Sequence, residues 1–210
     1  MEREVKIPVG DISLEGLMAL PNAEPRVGVV ICHPHPLYGG DMHNNVVAAL
    51  TEAALQAGGA ALRFNFRGVG GSTGLHDAGD GEQDDVRGAT SHLLAHVSPP
   101  IVIVAGYSFG ATVGLRAGAA DPRVHALIGV ALPLARRDAS FLEGITKPKL
   151  LISGDRDDVS PMPSVEALFT RLDEPKQLVG VTGADHFFAG LEGKVAAAAL
   201  RFIEGLVGQS

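Results

Sequence analysis

Cysteine is almost absent from this chain. The single residue, Cys32, excludes an internal disulfide. Long basic runs are missing too. Acidic residues outnumber basic ones, 24 Asp and Glu against 17 Lys and Arg, for a net charge of -7. A surface that tracks nucleic-acid phosphates needs clustered Lys and Arg, so nucleic acid is not an expected partner. No stretch approaches the ~20 consecutive apolar residues of a membrane helix, so no membrane partner is expected. Residues 1–9 alternate charged and apolar side chains and lack the apolar centre of a secretion signal. These absences predict a soluble cytoplasmic protein.

What remains is the composition of a folded enzyme-sized domain. The 210 residues are 46% apolar and 20% charged. That length predicts one domain over residues 1–210, and a domain of this size hides roughly 70% of the surface its unfolded chain exposes. The 27 glycines collect at turns, as expected where short strands meet helices.

Strand and helix signals alternate along the chain. Residues 2–9 and 12–20 read as two strands joined at Gly10-Asp11. Residues 26–32 form a continuous Val/Ile run, the mark of a strand buried on both faces. Residues 42–56 have helical spacing, with Val46, Val47, Leu50, Ala54 and Leu55 on one side and Gly58-Gly59 as the stop. Strands are expected again at 60–66, 101–105, 124–131, 149–153 and 177–181. Helices are expected at 83–96, 109–119, 163–172 and 191–206. About eight strands with helices between the later ones predict a mostly parallel sheet covered on both faces, the first two strands forming an antiparallel edge. The stretch between Ala131 and Lys149 is too short to hold a lid domain, so an open site is expected.

The strongest chemical signal is Gly106-Tyr107-Ser108-Phe109-Gly110. It follows the strand at 101–105 and precedes a helix, and this placement makes the G-x-S-x-G pattern specific. The chain must reverse within a few residues and hold Ser108 in a strained conformation with its hydroxyl projecting. Glycine on both sides leaves the room that side chains would fill. A serine here would also cap a helix, but an N-cap does not require two flanking glycines.

A serine hydroxyl needs a base within hydrogen-bond reach, and the base needs an orienting acid. His186, in the loop between the strand at 177–181 and the last helix, is the expected base; His125 reads as a surface residue. Three aspartates compete for the acid: Asp155, Asp157 and Asp158, all just beyond the strand at 149–153. Spacing alone does not separate them, and an Asp-rich turn accounts for the others.

Other residues receive structural readings. His33, His35 and His43 lie close together, but their spacing is not that of a zinc motif; no metal or cofactor is expected. Cys32 ends a buried strand and reads as core. Residues 67–72 lack the Gly-Lys-Ser/Thr ending of a phosphate loop and read as a turn beside the site, with Arg67 in a buried ion pair. Asp84 and Asp85 read as acidic residues favouring a helix N-terminus.

With these motifs in order, the sequence resembles the α/β-hydrolase superfamily over nearly its whole length. It looks most like the small lidless bacterial group of dienelactone-hydrolase-like and X-prolyl-peptidase-like hydrolases. The resemblance rests on Cys32-His33-Pro34-His35-Pro36-Leu37-Tyr38-Gly39-Gly40, Arg63-Phe64-Asn65-Phe66-Arg67-Gly68-Val69-Gly70, the serine motif, and Gly183-Ala184-Asp185-His186-Phe187-Phe188. It implies an acid at Gly-x-x-Asp followed by an apolar residue and proline, which Gly154, Asp157, Val159 and Pro161 fit. It implies an oxyanion hole from the backbone N–H of Phe109 and of the residue after His33-Pro34, namely His35. Pro34 and Pro36 have no N–H, so His35 is the one donor between them, with Leu37 as the alternative. Dienelactone hydrolases carry cysteine where this chain has Ser108, which argues against dienelactone chemistry itself. The expectation is a serine carboxylesterase for small acyl substrates. A peptidase or thioesterase on the same triad, and a non-catalytic binding module on the same fold, are the alternatives. Oligomeric state is left open.

Overall fold

A computed structural model describes residues 2–208. Its centre is an eight-stranded sheet in the order β1-β2-β4-β3-β5-β6-β7-β8. The strands are β1 (Glu2–Val9), β2 (Ile12–Ala19), β3 (Val27–Cys32), β4 (Ala60–Phe64), β5 (Ile101–Tyr107), β6 (Ala126–Val130), β7 (Lys149–Gly154) and β8 (Lys176–Val181). The β1–β2 hairpin runs antiparallel and joins the sheet antiparallel to β4. All other pairings are parallel. The helices are α1 (Asn45–Gln56), α2 (Gly81–His96), α3 (Phe109–Ala120), α4 (Met162–Arg171) and α5 (Glu192–Val207).

The period-2 alternation of a strand explains how the sheet is covered. In β3, Val29 and Ile31 pack with α1 and α5, whereas Val30 and Cys32 pack with α2 and α3. The same split runs through β5, with Ile103 on the first side and Val102 and Val104 on the second. α4 joins the second layer through Val165 and Leu168. A strand sandwiched this way has no polar face, which is why the central strands read as continuous apolar runs.

Element boundaries differ from the sequence reading where a specific hydrogen bond intervenes. α1 starts at Asn45 and not at 42, because the Asn44 side chain caps it by accepting from the Val46 N–H. Leu55 does not join the buried stripe; it is 36% exposed, and Ala53 takes the inward position beside Ala54. β4 stops at Phe64, because Asn65 turns its N–H to the Glu15 carbonyl and Phe66 donates its N–H to His33 Nε2. α2 begins at Gly81, which puts Asp85 in its second turn. Asp85 therefore does not serve the helix N-terminus. Its fully buried carboxylate holds Arg67, with Nη2–Oδ1 at 2.7 Å, Nε–Oδ1 at 3.0 Å and the Arg67 N–H donating at 3.0 Å. The ion pair expected for Arg67 is present, and its partner is this aspartate.

Strand order reverses around β3 and β5. From β3 the chain passes to β4 on one side, and from β5 it passes to β6 on the other. Such a reversal opens a crevice at the carboxyl ends of the strands. The loops after β3, β5, β7 and β8 all emerge at this edge.

Candidate active site

Ser108 sits between β5 and α3 with φ 54° and ψ -116°. A non-glycine residue in this region is strained by about 1–3 kcal/mol and persists only where the surroundings fix it. Here the surroundings do. The last residue of β5, Tyr107, pairs with Val130, and the Ser108 N–H donates to the Val130 carbonyl at 2.8 Å. The flanking glycines are demanded by contact with backbone. A Cβ on Gly106 would lie 2.3 Å from the Gly110 carbonyl oxygen, and a Cβ on Gly110 would lie 2.3 Å from that of His33.

The hydroxyl, the imidazole and the carboxylate meet in series. Ser108 Oγ is 3.0 Å from His186 Nε2, and His186 Nδ1 is 2.8 Å from Asp157 Oδ2. Asp157 Oδ1 accepts from the N–H groups of Val159 and Ser160, each at 2.8 Å. Its side chain is fully buried. Asp155 and Asp158 are exposed, and Asp155 accepts instead from the Gly183 N–H at 2.7 Å. The sequence left three aspartates open at this point; the structure brings one of them, Asp157, to the imidazole.

Two further links hold the imidazole loop. The Arg156 N–H donates to the Ala184 carbonyl at 2.9 Å, and β7 passes so close that a Cβ on Gly154 would lie 2.3 Å from the same oxygen. The loops carrying Asp157 and His186 are thus tied directly to each other. Tyr107 also donates its hydroxyl to the His186 carbonyl at 2.6 Å. Burial, with Asp157 and Asp185 nearby, pushes the Tyr107 hydroxyl well above its ordinary pKa, so it remains a donor. Sequence reasoning passed over this residue. Its only signal was an aromatic with a polar tip inside the serine motif.

His35 and Phe109 lie side by side in the cleft, their ring centres 4.8 Å apart. Among the described residues, neither backbone N–H has a hydrogen-bond partner. The Leu37 N–H, the alternative donor, is 3.3 Å from His35 Nδ1 and is directed to that ring. The N–H groups of Tyr38 and Gly40 donate to the His35 carbonyl. The loop therefore spends its other donors on its own turn and leaves the one on His35 free.

The three histidines of this region do not converge on a common point. His33 is buried; its Nδ1 lies 2.6 Å from the Pro34 carbonyl and its Nε2 accepts from Phe66. Burial pushes its pKa down to about 4. His35 packs on Tyr38, His76 and Phe109, and His43 is exposed. Among the described residues, no group of three His, Cys, Asp or Glu side chains could hold a metal ion.

The cleft has a volume of about 490 Å³. Its floor is Ser108, Phe109 and His186. Its lining also includes Tyr38 and Phe187, which are 79% and 67% exposed, and Arg136 and Arg137. No described helix is long and apolar enough to cross a membrane.

The chain belongs to the α/β-hydrolase family: the family model described as an alpha/beta hydrolase domain matches residues 27–198. Within that family it is similar to bacterial serine hydrolases, one of them described as lidless. It is 36% identical to an alpha-beta serine hydrolase homologue from Coxiella burnetii, with a TM-score of 0.87 over 95% of this chain and 96% of the other. It is 34% identical to XC6422 from Xanthomonas campestris, described as an a/b serine hydrolase without lid, with a TM-score of 0.87 over 98% and 94% of the two chains. Among curated proteins, it is 32% identical to the uncharacterized protein RP471 of Rickettsia prowazekii (strain Madrid E), over 83% of this chain and 77% of that one.

Proposed function

We propose that this protein is a serine carboxylesterase that cleaves small acyl esters through an acyl-enzyme on Ser108. The observation that carries the reading is the unbroken series Ser108 Oγ, His186 Nε2, His186 Nδ1 and Asp157 Oδ2, with steps of 3.0 and 2.8 Å. Both are within the range that proton transfer requires.

In this reading, Ser108 Oγ attacks the ester carbonyl and His186 Nε2 takes its proton. The carbonyl oxygen becomes an oxyanion held by the N–H groups of His35 and Phe109. Each such donor is worth about 3 kcal/mol of transition-state stabilisation. His186 returns the proton to the leaving alcohol as the C–O bond breaks. Water then attacks the acyl-enzyme, giving its proton to His186, and the acid leaves as the hydroxyl of Ser108 is restored. Asp157 keeps Nδ1 protonated throughout, so that Nε2 faces the hydroxyl as an acceptor. The α/β-hydrolase family and the resemblance to bacterial serine hydrolases support the same chemistry.

The test is Ser108→Ala together with labelling by a fluorophosphonate probe. The parent is expected to hydrolyse p-nitrophenyl acetate and to be labelled on Ser108, and the variant to lose both. A variant that turns over the ester at the parent rate ends the proposal. Parent protein that is folded yet unlabelled points to a binding module. Ester turnover weaker than that of matched amides and thioesters replaces the esterase with a peptidase or thioesterase.

A further inference from the structure

The charge of the cleft is opposite to that of the molecule. The chain carries a net charge of -7, yet the cleft is lined by two arginines and by no aspartate or glutamate. Both arginines lie in the turn that follows β6. In that turn the N–H groups of Arg136 and Arg137 donate to the Pro133 carbonyl at 3.0 and 2.9 Å. Both side chains line the cleft that also holds Tyr38 and Phe187, and both reach the neighbouring depression beside Leu134 and Arg171.

Neither charge is neutralised within the protein. Five arginines pair with carboxylates among the described residues, and Arg136 and Arg137 are not among them. The adjacent carboxylate, Asp138, turns to the N–H and hydroxyl of Ser140. Buried Glu82 accepts from the N–H groups of Asp77 and Gly79, and His76 Nδ1 lies 2.7 Å from its Oε1 without a hydrogen bond.

Arg137 is held in place without a counter-ion. Its guanidinium carbon lies 5.1 Å from the centre of the Phe109 ring, and Nη1 lies 3.4 Å from the Ala78 carbonyl oxygen. Phe109 and Ser108 line the same cleft as this charge. Arg136 is exposed and lines the same cleft. A guanidinium presents a planar fork of donors that matches a carboxylate. Low-dielectric walls around such charges concentrate anions in a cleft.

We propose that the substrate is an anionic ester, with a carboxylate held by Arg136 and Arg137 while an apolar portion lies against Tyr38 and Phe187. This rests on the esterase reading of the same cleft and names its substrate class. The carboxylate can sit on the acyl side, as in a dicarboxylic acid monoester, or on the alcohol side; the chemistry at the arginines is the same.

Two pairs of substrates separate these sources. One compares p-nitrophenyl butyrate with the p-nitrophenyl monoester of glutaric acid. The other compares phenyl acetate with 4-carboxyphenyl acetate. In at least one pair, kcat/KM is expected to favour the anion, and the preference to shrink as salt is raised. Arg136→Ala and Arg137→Ala should each lower that ratio by about fivefold, the value of one partly exposed charge pair. Arg136, being exposed, gives a variant whose fold is not at risk. The proposal is overturned if both ratios are at or below one, or if neither substitution changes the ratio.

Binding to Ser108→Ala, measured by calorimetry with monomethyl and dimethyl glutarate, asks the same question without chemistry. Anion preference in binding with no turnover by the parent would keep the carboxylate site at Arg136 and Arg137 and remove the esterase reading. Turnover of neutral and anionic esters alike, with no anion preference in binding, would do the reverse.

Discussion

Replacing Asp157 with asparagine isolates one proton. The carboxylate has three partners: His186 Nδ1 on one oxygen and the N–H groups of Val159 and Ser160 on the other. An amide has one oxygen and one NH2. If the oxygen stays with the two backbone donors, the NH2 faces Nδ1, which must then be the acceptor. The ring proton moves to Nε2 and meets the Ser108 hydroxyl, whose own proton has nowhere to go. If the amide flips, two buried N–H groups lose their acceptor, at about 1–3 kcal/mol each. The flipped form is therefore disfavoured by roughly 2–6 kcal/mol, which leaves about one molecule in thirty or fewer with the working tautomer. Loss of the negative charge beside the imidazolium adds to this. The expected fall in kcat is about 10³- to 10⁴-fold, or ~4–5 kcal/mol. The assay is steady-state hydrolysis of p-nitrophenyl acetate, with thermal unfolding as the check on folding. Asp155→Asn and Asp158→Asn serve as comparators and should stay within about threefold of the parent, because both side chains are exposed and an asparagine oxygen at 155 can still accept from the Gly183 N–H. The reasoning fails if Asp157→Asn keeps a tenth of the parent kcat, or if a comparator falls as far.

Tyr107→Phe removes the hydroxyl that holds the His186 carbonyl, at a stability cost of about 1–2 kcal/mol read as a lower Tm. It should lower kcat roughly tenfold by loosening the imidazole, with KM little changed; equal kcat would show that the loop needs no latch. His33 contributes a pH dependence. Its neutral ring donates through Nδ1 to Pro34 and accepts through Nε2 from Phe66, and burial holds its pKa at about 4. A depressed pKa means that the unfolded chain takes up the proton first. The contribution is thus complete above the ordinary histidine value of about 6.5 and is lost as pH falls toward 4, by about 3 kcal/mol. Urea midpoints that show no loss attributable to His33 between these pH values, or an NMR titration of His33 near 6.5, would contradict this.

The parts of the fold legible in the sequence were those set by periodicity and by backbone necessity. The apolar runs of β3 and β5 announce a doubly covered sheet, and Gly106 and Gly110 announce a turn in which backbone passes against backbone. The acid was less legible. Asp155, Asp157 and Asp158 are alike in type and place, and only the approach of β7 to the His186 loop decides which one turns inward. Spacing pointed to Asp157 only by resemblance. Arg136 and Arg137 were invisible as cleft residues, because nothing local in the chain says which way the turn after β6 points. Asp85 misled for a related reason. An acidic residue near a helix start has a sufficient local explanation, and its distant partner, Arg67, is evident only once the chain has folded.

The turn bearing those two arginines has one more property. Its N–H groups at 136 and 137 bond back to Pro133, and its backbone is tied outward by the N–H of Ala131 to the Ile152 carbonyl and that of Ala135 to the Val159 carbonyl. The core takes Leu132 and Ala139 from this segment and leaves the side chains at 136 and 137 outside it. On the proposed reading, positions 136 and 137 form an exchangeable cassette: new residues there would redirect which molecules are accepted, while Ser108, Asp157 and His186 keep their places in the loops that follow β5, β7 and β8.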